Sequence, residues 1–408
     1  MGRERADTAV ESAAPPWDSV SVEACHVGRP GEFIAAVPAM LGFTPVRSLV
    51  VAVLRPEPGR VDTAAVDVVA RVDFESPGRG ETEHMVERVA AICVRRSAVA
   101  VLALIVDDRA TAPTVEHPGV RARRHRLLIG ALERRLAADG VPLAGAWVTA
   151  AIAPELPWWS LLGPKEQGVQ PDPAASLVTV GHVLEGRPVR GSRAELAAVV
   201  AVDAAARCAV EQVFDAAVAG AAHRLAAAVS GGDPQSYGRA ALRRVLAQIA
   251  HVESGADLAA EELAELAVAL RDSTVRDAMY ALAPGDHARA AETLWVRMTR
   301  CLPDPDRAEA AALLGYCAYV RGDGTLAGVA LQAALLSDPG HTMARLLDTA
   351  LQSGMAPERL CCLATSGYEA AKDLGVDLDV PGGGFDTGAA GGGGGPGACR
   401  CDPEAEQS

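Results

Sequence analysis

Lysine is almost missing from this 408-residue chain, which carries only Lys165 and Lys372, so nearly all of its positive charge is arginine. Aromatic residues make up only 4% of the sequence, while alanine dominates the apolar half; close-packed helices with small contact residues suit that balance better than a large β-sandwich core. No apolar run approaches the roughly 20 residues of a membrane span, and the N-terminus has mixed charge with no hydrophobic signal core. A soluble, cytoplasmic protein without a membrane partner is expected. The nine cysteines then read as reduced thiols. A net charge of −14 argues against a polyanion, because phosphate binding along a backbone needs clustered cations, so no nucleic-acid partner is expected. The most basic stretch, Arg121 to Arg126, runs into Leu127, Leu128 and Ile129 and reads as the solvated face of a helix.

Chemical signatures are equally scarce. There is no G-x-x-x-x-G-K-[ST] loop, no H-E-x-x-H or H-x-x-x-H pair and no G-x-S-x-G elbow. Cys361-Cys362 and Cys399-x-Cys401 lack the second knuckle that zinc requires. Neither a metal nor a cofactor is expected. Two strand-end features are the candidate pocket. Asp107 and Asp108 follow the apolar run Val101 to Val106, at the carboxyl edge where open α/β sheets bind ligands. Trp158, Trp159 and Ser160 follow the next strand and either line a pocket or seal an interface between the two halves of the chain.

What is abundant is periodic pattern. β-rich apolar runs occur at 48–54, 65–72, 98–106 and 143–151, with helical patterns at about 31–41, 82–96 and 119–139. The first two runs, joined by a Pro- and Gly-rich turn, suggest a hairpin; the later ones are far enough apart for helical crossovers. The expected fold is therefore an α/β N-terminal domain with a mixed sheet and covering helices, over residues 19–160 after a disordered 1–18. An irregular connector with a short helix follows at 161–191, then an all-helical half at 192–374 and a disordered Gly-rich tail at 375–408. Ser192-x-x-Glu195 reads as a capping box, and Asp233-Pro234 and Asp304-Pro305 as caps before a helical proline.

The helical half contains a repeat. Ala291, Trp295, Met298 and Pro303 recur 36 residues later as Ala327, Leu331, Ala334 and Pro339, behind the turns Gly285-Asp286 and Gly322-Asp323. With Leu314 and Gly315, the second copy matches the small-residue positions of a tetratricopeptide hairpin, although Ala311 and Ala318 stand where aromatics usually sit. Helical hairpins are expected over about 275–372, the last at 341–353 and 357–372 around Gly354. On their surface Arg276, Asp277 and Asp323 are the candidate contacts.

The segment Pro38-Ala-Met40-Leu41-Gly42-Phe43-Thr-Pro45-x-x-Ser48-Leu49 resembles the opening signature of an actinobacterial family known as domain of unknown function 4192. The likeness continues through Trp158-Trp159-Ser160, Glu185-Gly186-Arg187-Pro188, Ser192-Arg193-x-Glu195-Leu196, Val275-Arg276-Asp277-Ala278 and Gly322-Asp323-Gly324. It implies a shared fold and brings no activity with it. Many members of that family carry cysteines just after the Trp-Trp-Ser motif, where this chain has Leu161-Leu162-Gly163-Pro164, so a metal or redox role for that loop is not implied. With no complete catalytic constellation legible, the leading expectation is a non-enzymatic interaction or regulatory protein whose hairpins hold a protein partner. The alternative is an enzyme or small-molecule binder near Asp107 and Trp158/Trp159.

Overall fold

The computed structural model describes residues 29–56, 64–73, 79–184, 187 and 189–378. The expectations for 1–18, for the turn after Pro56, for Cys399 and Cys401, and for most of the tail lie outside these residues.

The chain enters through helix α1 (Pro30–Leu41), whose Pro30 sits at the first helical position, where its missing N–H costs no hydrogen bond. It ends as the sequence indicates: Gly42 takes φ +73°, its N–H donates to the Ala39 carbonyl, and Phe43 turns inward and is buried. Strands β1 (Ser48–Pro56) and β2 (Ala64–Asp73) form an antiparallel pair. Helix α2 (Arg79–Arg95) leads to β3 (Ala100–Val106), which lies antiparallel to the other side of β1. Helix α3 (Ala122–Ala138) is the crossover to β4 (Leu143–Thr149), parallel to β3. Two short antiparallel strands, β5 (Pro157–Ser160) and β6 (Gln167–Val169), extend the sheet to six strands in the order β2-β1-β3-β4-β5-β6. The mixed sheet is as expected. The connector is not: Trp158-Trp159-Ser160 pair with β4, and Gln167–Val169, within the segment read as irregular, pair with β5 as the sheet edge.

Both faces of β1 and β3 are covered, residues 48–54 and 101–106 being buried, which explains why these strands are continuous apolar runs. Leu49, Val51, Val53, Val101, Ala103 and Ile105 face α2 and α3. Val50, Ala52, Leu54, Leu102, Leu104 and Val106 face α1, and this second core runs without a break into the helical half. The sheet, not the boundary between the two halves, divides the hydrophobic interior.

Helices α4 (Leu177–Leu184) and α5 (Arg193–Ala198) lead into the helical half. Ser192 caps α5 by accepting from the Glu195 N–H, but the Glu195 carboxylate accepts from the Gly191 N–H, one residue before the expected partner. There follow α6 (Ala204–Ser230), α7 (Gln235–Glu253), α8 (Ala260–Leu270) and α9 (Ser273–Ala278), then a 3-10 turn at Met279–Leu282. The series closes with α10 (Ala288–Cys301), α11 (Asp306–Val320), α12 (Gly324–Ser337), α13 (Thr342–Gln352) and α14 (Cys361–Asp373). Asp233 accepts from the Ser236 N–H as a cap should. Asp304 does not cap; its carboxylate is taken by Arg207 and Ser337.

The repeat positions are packing positions. Ala291, Trp295, Met298, Ala327, Leu331 and Ala334 are all fully buried. A Cβ on Gly315 would lie 2.7 Å from Leu331 Cγ, so glycine sets the spacing of α11 and α12. Helix α14 packs on α9 and the 3-10 turn, at the beginning of the array. A Cβ on Gly367 would stand 2.6 Å from the Ala281 nitrogen. The last hairpin therefore folds back and closes the array. Packing continues past residue 374, since Val376 is buried against the same core.

Candidate functional site

Asp107 ends β3, and its N–H still pairs with the Thr149 carbonyl of β4. Its carboxylate is fully buried. Oδ1 accepts from the Arg109 N–H at 3.2 Å and from Arg109 Nε at 2.7 Å, and Oδ2 accepts from His125 Nε2 at 3.1 Å, with Arg121 Nε 3.7 Å away. Burial works to raise the Asp107 pKa, but the bonds from Arg109 and His125 outweigh it and hold the carboxyl below its ordinary value. Burial lowers that of His125, against the pull of Asp107, so the imidazole is neutral and donates through Nε2. This is a latch: one carboxylate ties the loop after β3 to the start of α3. His125, read from the sequence as part of a solvated basic face, is in fact 2% exposed.

The other candidates at this edge point apart. Asp108 takes both arms of Arg47, at 2.8 and 3.0 Å, and that hydrogen bonding lowers its pKa. Trp158 and Trp159 are neighbours on β5, so their side chains leave opposite faces of the sheet. Trp158, 8% exposed, joins the α1 side, lies against Gly31 and Gly168 and donates from Nε1 to the Val169 carbonyl at 3.3 Å. Trp159, 5% exposed, joins the α2/α3 side. Ser160 Oγ donates to the Pro164 carbonyl and accepts from the Glu166 N–H, closing a loop. The two rings seal separate cores.

In the helical half, Arg276 Nε donates to Asp277 at 2.9 Å while its Nη1 lies 4.0 Å from Glu309, an intrahelical pair braced to α11. Asp323 caps α12, accepting from the Leu326 N–H at 2.9 Å. Thr325 donates to the Leu41 carbonyl at 2.6 Å and so ties the α12 cap to the end of α1.

That tie marks the wall of a cleft between the two halves, made of two lobes. The narrow lobe, about 580 Å³, lies between the end of α1, the segment after α4, one face of α10 and the turn from α11 to α12. Arg289, Val296 and Arg300 recur at helical spacing and turn one stripe of α10 to the cleft, while Ala291, Leu294, Trp295 and Met298 turn inward. Residue 190 is clipped beneath α1, its N–H donating to the Gly42 carbonyl and its carbonyl accepting from Thr44. The wide lobe, about 1010 Å³, opens over β2, α2, α12 and α13. Met40, His182, Arg187, Leu196 and Gly322 line both lobes. These are residues of the sequence motifs: the Pro38-to-Pro45 signature, Arg187, Leu196 and Gly322-Asp323-Gly324 meet here although they are far apart in the chain.

Electrostatically the narrow lobe inverts the protein. Six arginines (187, 190, 289, 297, 300 and 321) line it, and among the described residues only the carboxylates of Glu292 and Asp323 share that lining, in a chain of net charge −14. Arg321 pairs with Glu292 through both arms, at 2.9 and 3.1 Å, and burial raises the Glu292 pKa against that pairing. Arg297 is held by Asp257 at 2.8 Å. Arg300 donates to the Ala198 carbonyl at 3.0 Å, and neither it nor Arg190 pairs with a carboxylate among the described residues. Individual motif residues were visible in the sequence; their convergence was not. Of the candidate residues, only Asp323 lies in the cleft.

Among the described residues no group of three or more His, Cys, Asp or Glu is placed to hold a metal ion, and no helix is long and apolar enough to cross a membrane. A family model described as "Domain of unknown function (DUF4192)" matches residues 30–358. No curated protein and no solved structure matches the chain.

Proposed function

The chain belongs to the DUF4192 family, and from that premise we propose that it is a cytoplasmic binding protein that holds a small anionic ligand in the cleft between its α/β and helical halves. The observation that carries this reading is the pair Arg190 and Arg300, which line the narrow lobe with no carboxylate partner among the described residues. Like charges held together repel and lose hydration, so a cleft that keeps them is supported by what it binds. The planar fork of arginine pairs bidentately with oxyanions. The helical half reads as a degenerate tetratricopeptide array closed by α14, and the arginine-for-lysine bias fits an actinobacterial source.

Titration of the full chain with sulfate, phosphate and citrate tests the reading by calorimetry. At least one should bind, and Arg190→Ala with Arg300→Ala should weaken it by about tenfold or more, the size of a lost charge-assisted hydrogen bond. Binding that ignores the double substitution, or no binding of any of these anions, removes the cleft from consideration.

A protein partner is the second reading, supported by α4, where Leu177 and Leu184 are 73% and 80% exposed and share a face with Val180. Leu184→Asp should abolish specific capture of such a partner while leaving the melting temperature unchanged. Deleting the hairpins is a poor test, since it removes Trp295 and Tyr316 from a core shared with the sheet.

A further inference from the structure

Resting on that reading of the cleft, we infer that the anion is carried by a short extended peptide, which adds to β2 as a further strand in the wide lobe and reaches Arg190 and Arg300 with an acidic side chain. β2 is one edge of the sheet, and every residue of it from Val66 to Asp73 lines the wide lobe. The direction of its backbone groups follows from the ladders. The Val101 and Asp107 N–H groups donate to the Pro142 and Thr149 carbonyls on the β4 side, so odd-numbered residues of β3 face β4 and even-numbered ones face β1. Carried through the two antiparallel registers, this turns Val68, Ala70 and Val72 to β1 and leaves the N–H and C=O groups of Val69, Arg71 and Asp73 at the free edge. Among the described residues no other backbone group bonds to them. The regular ladder begins at Val68, after the register shift at Asp67, so 68–73 is the length open to a new strand.

The walls suit a single strand. Alternate side chains of the peptide turn to Val89 and Ile92 of α2 on one face of the sheet and to Val329 and Leu335 of α12 on the other, all four apolar and all in the lining of the lobe. Helix α2 and the turn after α13 cover opposite faces and meet only beyond β2, where a Cβ on Gly354 would lie 3.0 Å from Ile92 Cγ2. This contact roofs the edge, which admits one strand threaded along it and excludes the sheet edge of a second copy. Charge selects the peptide. The Asp73 end of the edge lies at the waist of the cleft: the Arg71 guanidinium is 5.1 Å from the centre of the Phe43 ring, and Asp73 is 3.7 Å from Arg193 at the start of α5. From there the lining passes into the narrow lobe through Met40, His182, Leu196 and Gly322. A carboxylate carried past that end of the strand meets Arg190 and Arg300, which have no carboxylate partner among the described residues.

The test starts from random peptides of about nine residues, roughly 30 Å when extended, displayed on phage and panned on the full chain. Those selected should carry Asp or Glu at one end of a run of alternating apolar residues. One of them, synthesised with blocked ends, is then methylated at one backbone nitrogen at a time and titrated by calorimetry. Methylation at every second residue should weaken binding about tenfold or more, the size of a lost hydrogen bond whose partner stays buried, and methylation at the residues between should change nothing. Val69→Pro removes one outward N–H and spares the ladder to β1, so it should bind the peptide about tenfold more weakly than Val69→Ala, which trims the same side chain and keeps the N–H. The methylation series stands even where the proline variant fails to fold. Replacing the acidic residue of the peptide by its amide should cost about tenfold in the native chain and nothing in the chain carrying Arg190→Ala and Arg300→Ala. No selected peptide, or methylation that acts alike at every position, overturns the added strand and leaves the anion reading to the titrations with sulfate, phosphate and citrate. An amide peptide that binds the native chain as tightly as the acid overturns the acidic half and leaves the strand. A chain that sediments as a dimer split by Val69→Pro puts a second copy on the edge and overturns the peptide.

Discussion

Around Asp107 one carboxylate collects Arg109, Arg121 and His125, and every atom of it is used within the loop it anchors. In the cleft, Arg190 and Arg300 have no carboxylate partner among the described residues, and of the two carboxylates in the lining Glu292 is held by Arg321 and Asp323 caps α12. Both are arginine clusters at a junction of elements, and they differ in balance. A buried charge with all its partners in place is architecture, because water and ligands have nothing left to satisfy. Surplus charge of one sign, on walls supplied by different parts of the chain, is what a ligand completes. Proximity to the carboxyl edge of a sheet says less about function than this balance does.

The largest effect that separates the two clusters is expected at the latch. Asp107→Ala leaves the buried His125 and the partly buried Arg109 without their carboxylate, and should cost about 3 kcal/mol in urea denaturation. Anion affinity in the cleft should not move. A loss below 1 kcal/mol would mean that Asp107 is not structural, and would return the strand edge to the list of sites.

Acid should act on the latch before it acts on the cleft. His125 has its pKa lowered by burial below the ordinary 6.5, so its contribution is complete above that pH and is lost as the pH falls from 6.5 through the folded value. Asp107, held below the ordinary 3.8, adds stability that is present above about pH 3.8 and lost only below it. Stability of the native chain should therefore begin to decline below about pH 6.5. His125→Gln, less stable throughout, should show a flatter profile from there down to about pH 4. Parallel profiles for the two proteins would contradict the buried neutral imidazole.

The cleft should show the reverse pattern, large in binding and small in stability. Arg190→Ala is expected to change unfolding free energy by no more than about 0.5 kcal/mol, as for a surface side chain, while weakening the bound anion. Asp323→Ala sharpens the contrast within one residue. Loss of the α12 cap should destabilise by about 1 kcal/mol, yet removing one of two carboxylates from the lobe should tighten the anion. Weaker anion binding in that variant would show that Asp323 contacts the ligand as an acceptor instead of opposing it.

Much of the architecture was legible because its causes are local. Apolar, β-rich runs mark β1 to β4, Gly42 and the residues around it stop α1, and the small residues of the repeat mark where α11 and α12 touch. What was misread depended on distant partners. Four residues, Pro157 to Ser160, are too few for a periodic signal and become a strand only because β4 offers an unpaired edge. Asp304 has the sequence of a cap, but Arg207, almost a hundred residues earlier, takes its carboxylate. Asp107 looked open because its partners face it only when the loop turns back, through a left-handed Arg121 at φ +65°.

The amino-acid sequence alone thus determined the mixed sheet, the helical repeat, the turn that ends α1 and the family, all properties of short stretches of chain and their spacing. The cleft was decided by tertiary structure, because one face of the sheet and the inner face of the helical half bury the same core. That packing brings residues 40, 187, 190, 300 and 322 around one space. Charge balance is a property of volume, and a sequence orders residues only along a line.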